Sequence, residues 1–206
     1  MKKFILMMSV AAVVIMSSAP GMNAQNSTAS SKRQQEIEKW HQEMAQFRAR
    51  SEQRREMDAL VDSIAGVQAA AAVQNRDFVL EADQVTFKNG NTVFVNSNTT
   101  FIYVKGNRAV VQISPSNFAS GPNGVGGVTV DGSISGMQRM VDKKGRTTIS
   151  FNVMGIGINA QIEIYMTPGT NQASATIDPN FNSNTVWMEG EIVPYQNSDI
   201  FEGSSL

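Results

Sequence analysis

From Asp77 to its end the sequence is a series of short apolar and polar runs, separated by residues that reverse a chain. Lys88-Asn89-Gly90-Asn91, Lys105-Gly106-Asn107-Arg108 and Asp142-Lys143-Lys144-Gly145 read as hairpin turns, with glycine supplying the left-handed backbone position. Thr167-Pro168-Gly169-Thr170 has proline and glycine in the middle positions of a type II turn. The spacing predicts about eight or nine strands in consecutive hairpins. Such a chain folds as a mainly β domain, an antiparallel β-barrel or strongly bent sheet, with a β-sandwich as the alternative. The barrel is the preferred expectation because closure removes exposed edges.

Several positions refine this reading. Phe78, Leu80 and Ala82 keep one parity whereas Val85 and Phe87 keep the other, so a bulge is expected near Asp83 and Gln84. Phe101-Ile102-Tyr103-Val104 is apolar or aromatic on both faces, so its outer face also needs cover, which the helix ending near Val73 could supply. Met154, Ile156, Ile158, Ala160, Ile162, Ile164 and Met166 share one parity. An unbroken strand from Thr147 to Met166 would reach about 65 Å, so Gly155 and Gly157 must turn it. The block Gly121 to Gly132, Gly-Pro-Asn-Gly-Val-Gly-Gly-Val-Thr-Val-Asp-Gly, predicts a turn leading into a sharply bent strand. It lacks the spacing and the following helix that a phosphate-binding loop requires.

Ahead of the strands, Lys32 to about Val73 contains no proline and one glycine and is dominated by good helix formers. Two stripes run along this helix at helical spacing: Ile37, Trp40, Met44 and Phe47, then Met57, Leu60, Ile64 and Val67. They are out of phase and separated by the charged stretch Arg48 to Glu56. The second stripe is expected to pack on the sheet. The first is a candidate protein-interaction surface, for a second copy of the chain or for another envelope protein. His41 beside Trp40 is the single histidine and lacks the partners that general-base chemistry requires.

The N-terminus has the form of a secretory signal peptide over residues 1–24: Met1-Lys2-Lys3, an apolar run from Phe4 to Met16, then small residues ending at Ala24. Cleavage is expected before Gln25, followed by a disordered spacer over 25–31, a helical segment over 32–75 and the β domain over 76–206. The apolar run is shorter than the roughly 20 residues that span a bilayer, so no transmembrane span is expected in the mature chain. Exported, periplasmic or secreted placement follows from the leader. With no cysteine, the chain carries neither disulfides nor a lipid-anchoring thiol.

The full chain has 17 Lys and Arg against 18 Asp and Glu, a net charge of −1, which loss of Lys2 and Lys3 would change to −3. That balance gives no footprint for nucleic acid. No cofactor and no metal site is expected, since zinc lacks its usual ligands and no Asp-x-Asp-x-Asp-Gly calcium loop is present. Asp131 with Asp142, or Glu189 with Glu191 beside Trp187, could pair for glycosidase chemistry. A charged strand face is more simply the wet side of a sheet, with Trp187 pointing outward. No nucleophile, base and orienting group converge, so no catalytic residue is assigned.

Asparagine recurs between the strands, at Asn96 and Asn98, at Asn117 and Asn123, and at Asn182 and Asn184. Asn and Ser favour turns through bonds to the backbone. The sharper reading is that Asn96, Asn98, Asn123, Asn182 and Asn184 share one barrel rim and offer amides to a polar ligand.

Five stretches carry a family resemblance: Arg76 to Asp83, Phe94 to Thr99, Gly121 to Gly132, Asn180 to Asn184, and Val193-Pro194-Tyr195 through Phe201-Glu202-Gly203. Together they resemble domain-of-unknown-function family 4251 of secreted Bacteroidetes proteins, over about Val67 to Leu206. The resemblance implies a mostly antiparallel, lipocalin-like sheet domain and transfers no catalytic residue. The combined expectation is a secreted, non-catalytic binding or interaction module of the bacterial envelope, its partner an unknown envelope protein or small ligand. The alternatives are a structural protein assembling through its helix and, last, a carbohydrate-active hydrolase.

Overall fold

The computed structural model describes residues 24–114, 127–155, 159–179 and 184–203, with side chains described from Lys32 onward. Residues 1–23 of the expected leader, Gly121 to Gly126, Ile156 to Ile158 and Asn180 to Ser183 lie outside the described residues. The elements are a helix α1 (Ala24–Asn75) and nine strands: β1 (Asp77–Phe87), β2 (Thr92–Phe94), β3 (Phe101–Lys105), β4 (Arg108–Ile113), β5 (Val128–Val141), β6 (Thr147–Gly155), β7 (Asn159–Met166), β8 (Gln172–Pro179) and β9 (Val186–Pro194). The helix begins ahead of Lys32 and takes in residues 25–31, which composition assigns to a spacer; no proline or glycine interrupts it before Gly66. It ends where Arg76 takes a left-handed φ of 53°.

The strands close into a barrel, the preferred of the two sequence expectations. Eight of them run in the order β1-β3-β4-β5-β6-β7-β8-β9, and β9 pairs back to β1, every neighbour antiparallel. β1 is long enough to pair β3 through residues 77–81 and the extra strand β2 through residues 84–86. The expected bulge falls between Ala82 and Gln84, opposite β9. It turns Leu80, Ala82 and Val85 all inward, which the parity change along β1 requires. A second bulge lies in β5 between Ser135 and Gln138, where Gly136 has a φ of 65°. The strand therefore departs from regularity a few residues beyond the glycine block that predicts a bend.

The interior is filled by side chains. Phe78, Leu80, Ile102, Ile149, Phe151, Ile162, Ile164, Met188 and Ile192 are all buried in one cluster. β6 and β7 form a hairpin pairing Met154 with Asn159, as the glycines predict. The pairing moves Met154 off the face assigned by its parity with Ile162 and Ile164. Val153, across from Ala160, points inward instead, and Met154 is exposed, because the alternation restarts after a turn.

The chain divides between Glu52 and Gln53 into two compact units. Within the second, the last turns of α1 close one end of the barrel through Ala69, Ala72 and Val73, which join the interior cluster. The approach is close: a Cβ added at Gly66 would lie 2.8 Å from the Thr170 nitrogen in the β7–β8 turn. This corrects the expectation for the second stripe. Met57, Leu60, Ile64 and Val67 are exposed, between 58 and 70 %. Only small residues let a helix backbone approach the strand ends, so alanines and Gly66, not the large stripe, face the sheet.

A second correction concerns the outer face of β3. The helix does not cover it. Val79, Phe101, Tyr103 and Val110 form their own buried cluster, packed against Val193 of β9 and Ile200 of the segment that follows it.

Candidate functional site

With the helix at one end, the other barrel end is where β1, β4 and β8 finish and where β5 and β9 begin. A cleft of about 460 Å³ opens there, lined by Phe87, Lys88, Ile113, Val128, Asn184 and Val186 among others. Its volume falls in the range of about 300 to 1,000 Å³ typical of small-molecule sites. The floor is the last layer of the core, since Val186 belongs to the interior cluster and Phe87 and Ile113 pack against it. The walls are mainly apolar. Polar groups enter from the turn after β1 and from Asn184 and Thr185; the Thr185 hydroxyl donates to Asp178 at 3.2 Å.

The asparagines divide between two roles. Asn184 is exposed and lines the cleft. Asn96 and Asn98 are exposed too, but the Asn96 side-chain oxygen accepts the Asn98 N–H of its own turn at 3.0 Å and its carbonyl accepts from Thr99 and Thr100, while the Asn98 carbonyl accepts from Phe201. Asn89, not singled out by the sequence, lines the cleft and accepts the Asn91 N–H. Asn123 and Asn182 lie outside the described residues. Sequence reasoning also passed over Lys88 and the apolar walls, which no local pattern marks as a pocket.

The densest set of charged and aromatic groups lies elsewhere, on the outer face of β1, β3 and β4. Arg108 donates twice to Asp131 at 2.9 Å and also to Glu202. Tyr103 stacks on Tyr195 with ring centroids 4.7 Å apart, and the Lys105 ammonium lies 4.8 Å from the Tyr195 ring centre. Burial, with Tyr195 adding to it, pushes the Tyr103 phenol up to about 12. Gln112, fully buried, donates to the carbonyls of Thr99 and Phe201 and accepts from the Thr129 hydroxyl and the Gly203 N–H. Ser198 donates to Glu81, and the Phe201 N–H reaches the Asn98 carbonyl. The contacts of Tyr195, Ser198, Phe201, Glu202 and Gly203 tie residues 195–203 down as a strap. The set is an attachment, with each charge spent on a partner, and its one advance signal was the two-sided apolar strand Phe101 to Val104.

The carboxylate pairs separate in the same way. Asp131 is held by Arg108, whereas Asp142 is held by Arg146 in the β5–β6 turn, which keeps its carboxyl below the usual range. Glu191 accepts from Asn171 and Gln172 on the outer face, on the same side as exposed Trp187 and Glu189. Among the described residues no group of three or more His, Cys, Asp or Glu is placed to hold a metal ion. Nor is any described helix long and apolar enough to cross a membrane.

On α1, Ile37, Trp40 and Phe47 are exposed and Met44 is half-buried. Trp40 meets the His41 ring edge-on at 5.1 Å.

Comparison with known proteins places these features in a family. The model for the domain of unknown function DUF4251 matches residues 63–192, from the helix end through β9. A crystal structure of a DUF4251 family protein from Bacteroides eggerthii DSM 20697 is 47% identical, with a TM-score of 0.61 over 69% of this chain and 96% of that one. A search of curated proteins finds no match. Since the family model spans well over half of the 206 residues, and the similar structure shares nearly half of its aligned sequence, the chain belongs to the DUF4251 family.

Proposed function

We propose that this protein is an exported, non-catalytic binding module of the bacterial envelope, which holds a small molecule in the open barrel mouth. The observation that carries the reading is the cleft lined by Phe87, Ile113, Val128 and Val186, apolar on its walls with a few amides and one amine at its edge. Small-molecule sites combine a concave apolar surface with a few oriented polar groups. At the mouth the last layer of the filled interior meets solvent in a concave surface, through Val186 with Phe87 and Ile113 packed against it. Support for a non-catalytic role comes from the carboxylates and Arg108, whose bonds are taken up in holding the strap and the turns. The leader-like N-terminus supports export.

A second reading, assembly through the helix, is favoured by the exposure of Ile37, Trp40 and Phe47, more than half of each facing water. Native mass spectrometry of the protein isolated from its own envelope tests both. The binding reading expects a mature chain starting at Gln25 that carries a small-molecule adduct, lost when Val128→Trp fills the cleft. A dimer without adduct, dissociated by Trp40→Glu, would replace it with the assembly reading. A bare monomer whose mouth takes up no compound from an envelope extract would remove both.

A further inference from the structure

The barrel ends differ in charge. At the helix end, one turn carries Lys105 and Arg108 and another runs from Asp142 through Arg146. The strands that end or begin at the mouth are joined, from β4 to β5, β6 to β7 and β8 to β9, by sequence that contains no charged residue. The β2–β3 connection has none either, which leaves Lys88, in the turn after β1, as the one charge in these connections. Lys88 lines the cleft and is exposed. Among the described residues it has no ion-pair partner, in contrast with Arg108 and Arg146. Asp178, which accepts the Thr185 hydroxyl, lies on an exposed position of β8.

A cleft with apolar walls and one cation at its edge selects a molecule with an apolar body and one anionic end. We infer that the mouth binds a singly charged anionic amphiphile, an acyl or alkyl chain ending in a carboxylate or similar group. Its chain lies against Phe87, Ile113, Val128 and Val186. Its head sits at the Lys88 ammonium, flanked by the amides of Asn89 and Asn184. A point-like ammonium on a long stem suits this task, since it follows the head while its methylenes extend the apolar wall. The inference rests on the mouth-binding reading and adds the chemical class of the ligand.

The test is calorimetric titration of the full exported protein, stripped of ligand, with octanoate, decanoate, decanol and decyltrimethylammonium. Affinity should rise by up to about fourfold for each added methylene until the cleft is full. Decanoate should bind more tightly than decanol or the ammonium compound. Lys88→Ala should weaken decanoate about twofold to fivefold, the scale of an exposed ion pair, and leave decanol unchanged. Lys88→Glu should reverse the order of decanoate and decyltrimethylammonium. Val128→Trp, at a half-exposed wall position, should abolish binding of all four while thermal melting shows the fold retained. Equal binding of all three decyl compounds, blocked by Val128→Trp, would overturn the anionic class and leave the mouth site standing. Binding of none, or binding indifferent to Val128→Trp, would overturn the site as well.

Discussion

Replacing Gln112 by leucine removes the hub of the C-terminal strap without leaving a large hole, since the two side chains are close in size. The carboxamide is fully buried and makes four bonds: to the Thr99 and Phe201 carbonyls at 2.9 Å each, from Thr129 at 3.1 Å and from the Gly203 N–H at 2.8 Å. A buried polar group stripped of its partner costs about 1 to 3 kcal/mol. The Phe201 and Gly203 groups can escape by lifting the strap into water, but doing so uncovers Val79, Phe101 and Val110, which lie under Ile200. Stripping the Thr99 carbonyl and loosening the strap together should cost about 2 to 4 kcal/mol, a large part of the roughly 5 to 15 kcal/mol that stabilises a typical domain. Urea unfolding reads the loss as a lower midpoint at unchanged slope. Hydrogen exchange locates it, because the Phe201 amide, now bonded to Asn98, should lose protection before the β6 and β7 amides do. A loss under about 0.5 kcal/mol, with Phe201 still protected, would mean that the apolar contacts of Ile200 hold the strap alone, and the reasoning would fail.

Two further outcomes are expected. The Tyr103 phenol ionises at about 12 in the folded protein, whereas the unfolded chain releases that proton near 10, so stability is intact below about 10 and falls as pH rises from there to about 12. Alkaline denaturation followed by phenolate absorbance should show this slope, and Tyr103→Phe should remove it; a Tyr103 that titrates near 10 would refute its burial under the strap. On the helix, Leu60→Ala should change stability by no more than about 0.5 kcal/mol because the side chain is 61 % exposed, while Val73→Ala, in the barrel interior, should cost about 2 kcal/mol. Thermal melts of the two variants decide it, and equal losses would return the second stripe to the core.

The hairpins, the bulge at Ala82 and Gln84, and the long helix were legible in the sequence because each follows from local physics. Glycine permits left-handed turns, a parity change along one strand demands an extra residue, and 3.6-residue spacing marks a helix. Barrel closure was also within reach, since nearly every strand pairs with its neighbour in sequence and needs only β1 to meet β9. What covers a surface was not legible in this way. The side chains of Leu60 and Ile64 have core spacing, yet the barrel end takes in Ala69, Ala72 and Val73 instead, with Gly66 where the helix comes closest to the Thr170 backbone. The outer face of Phe101 to Val104 announced a need for cover but not its source, which lies nearly a hundred residues away and is tied down in part through a buried glutamine that no motif distinguishes. The same holds for the site. Asparagines in the connections were visible, but whether an amide bonds to its own turn, as at Asn96, or faces a cleft, as at Asn184, depends on the walls that distant strands bring beside it. Spacing along a chain reports which residues share an element, whereas pockets and covers arise between elements, at distances that only the closed barrel sets.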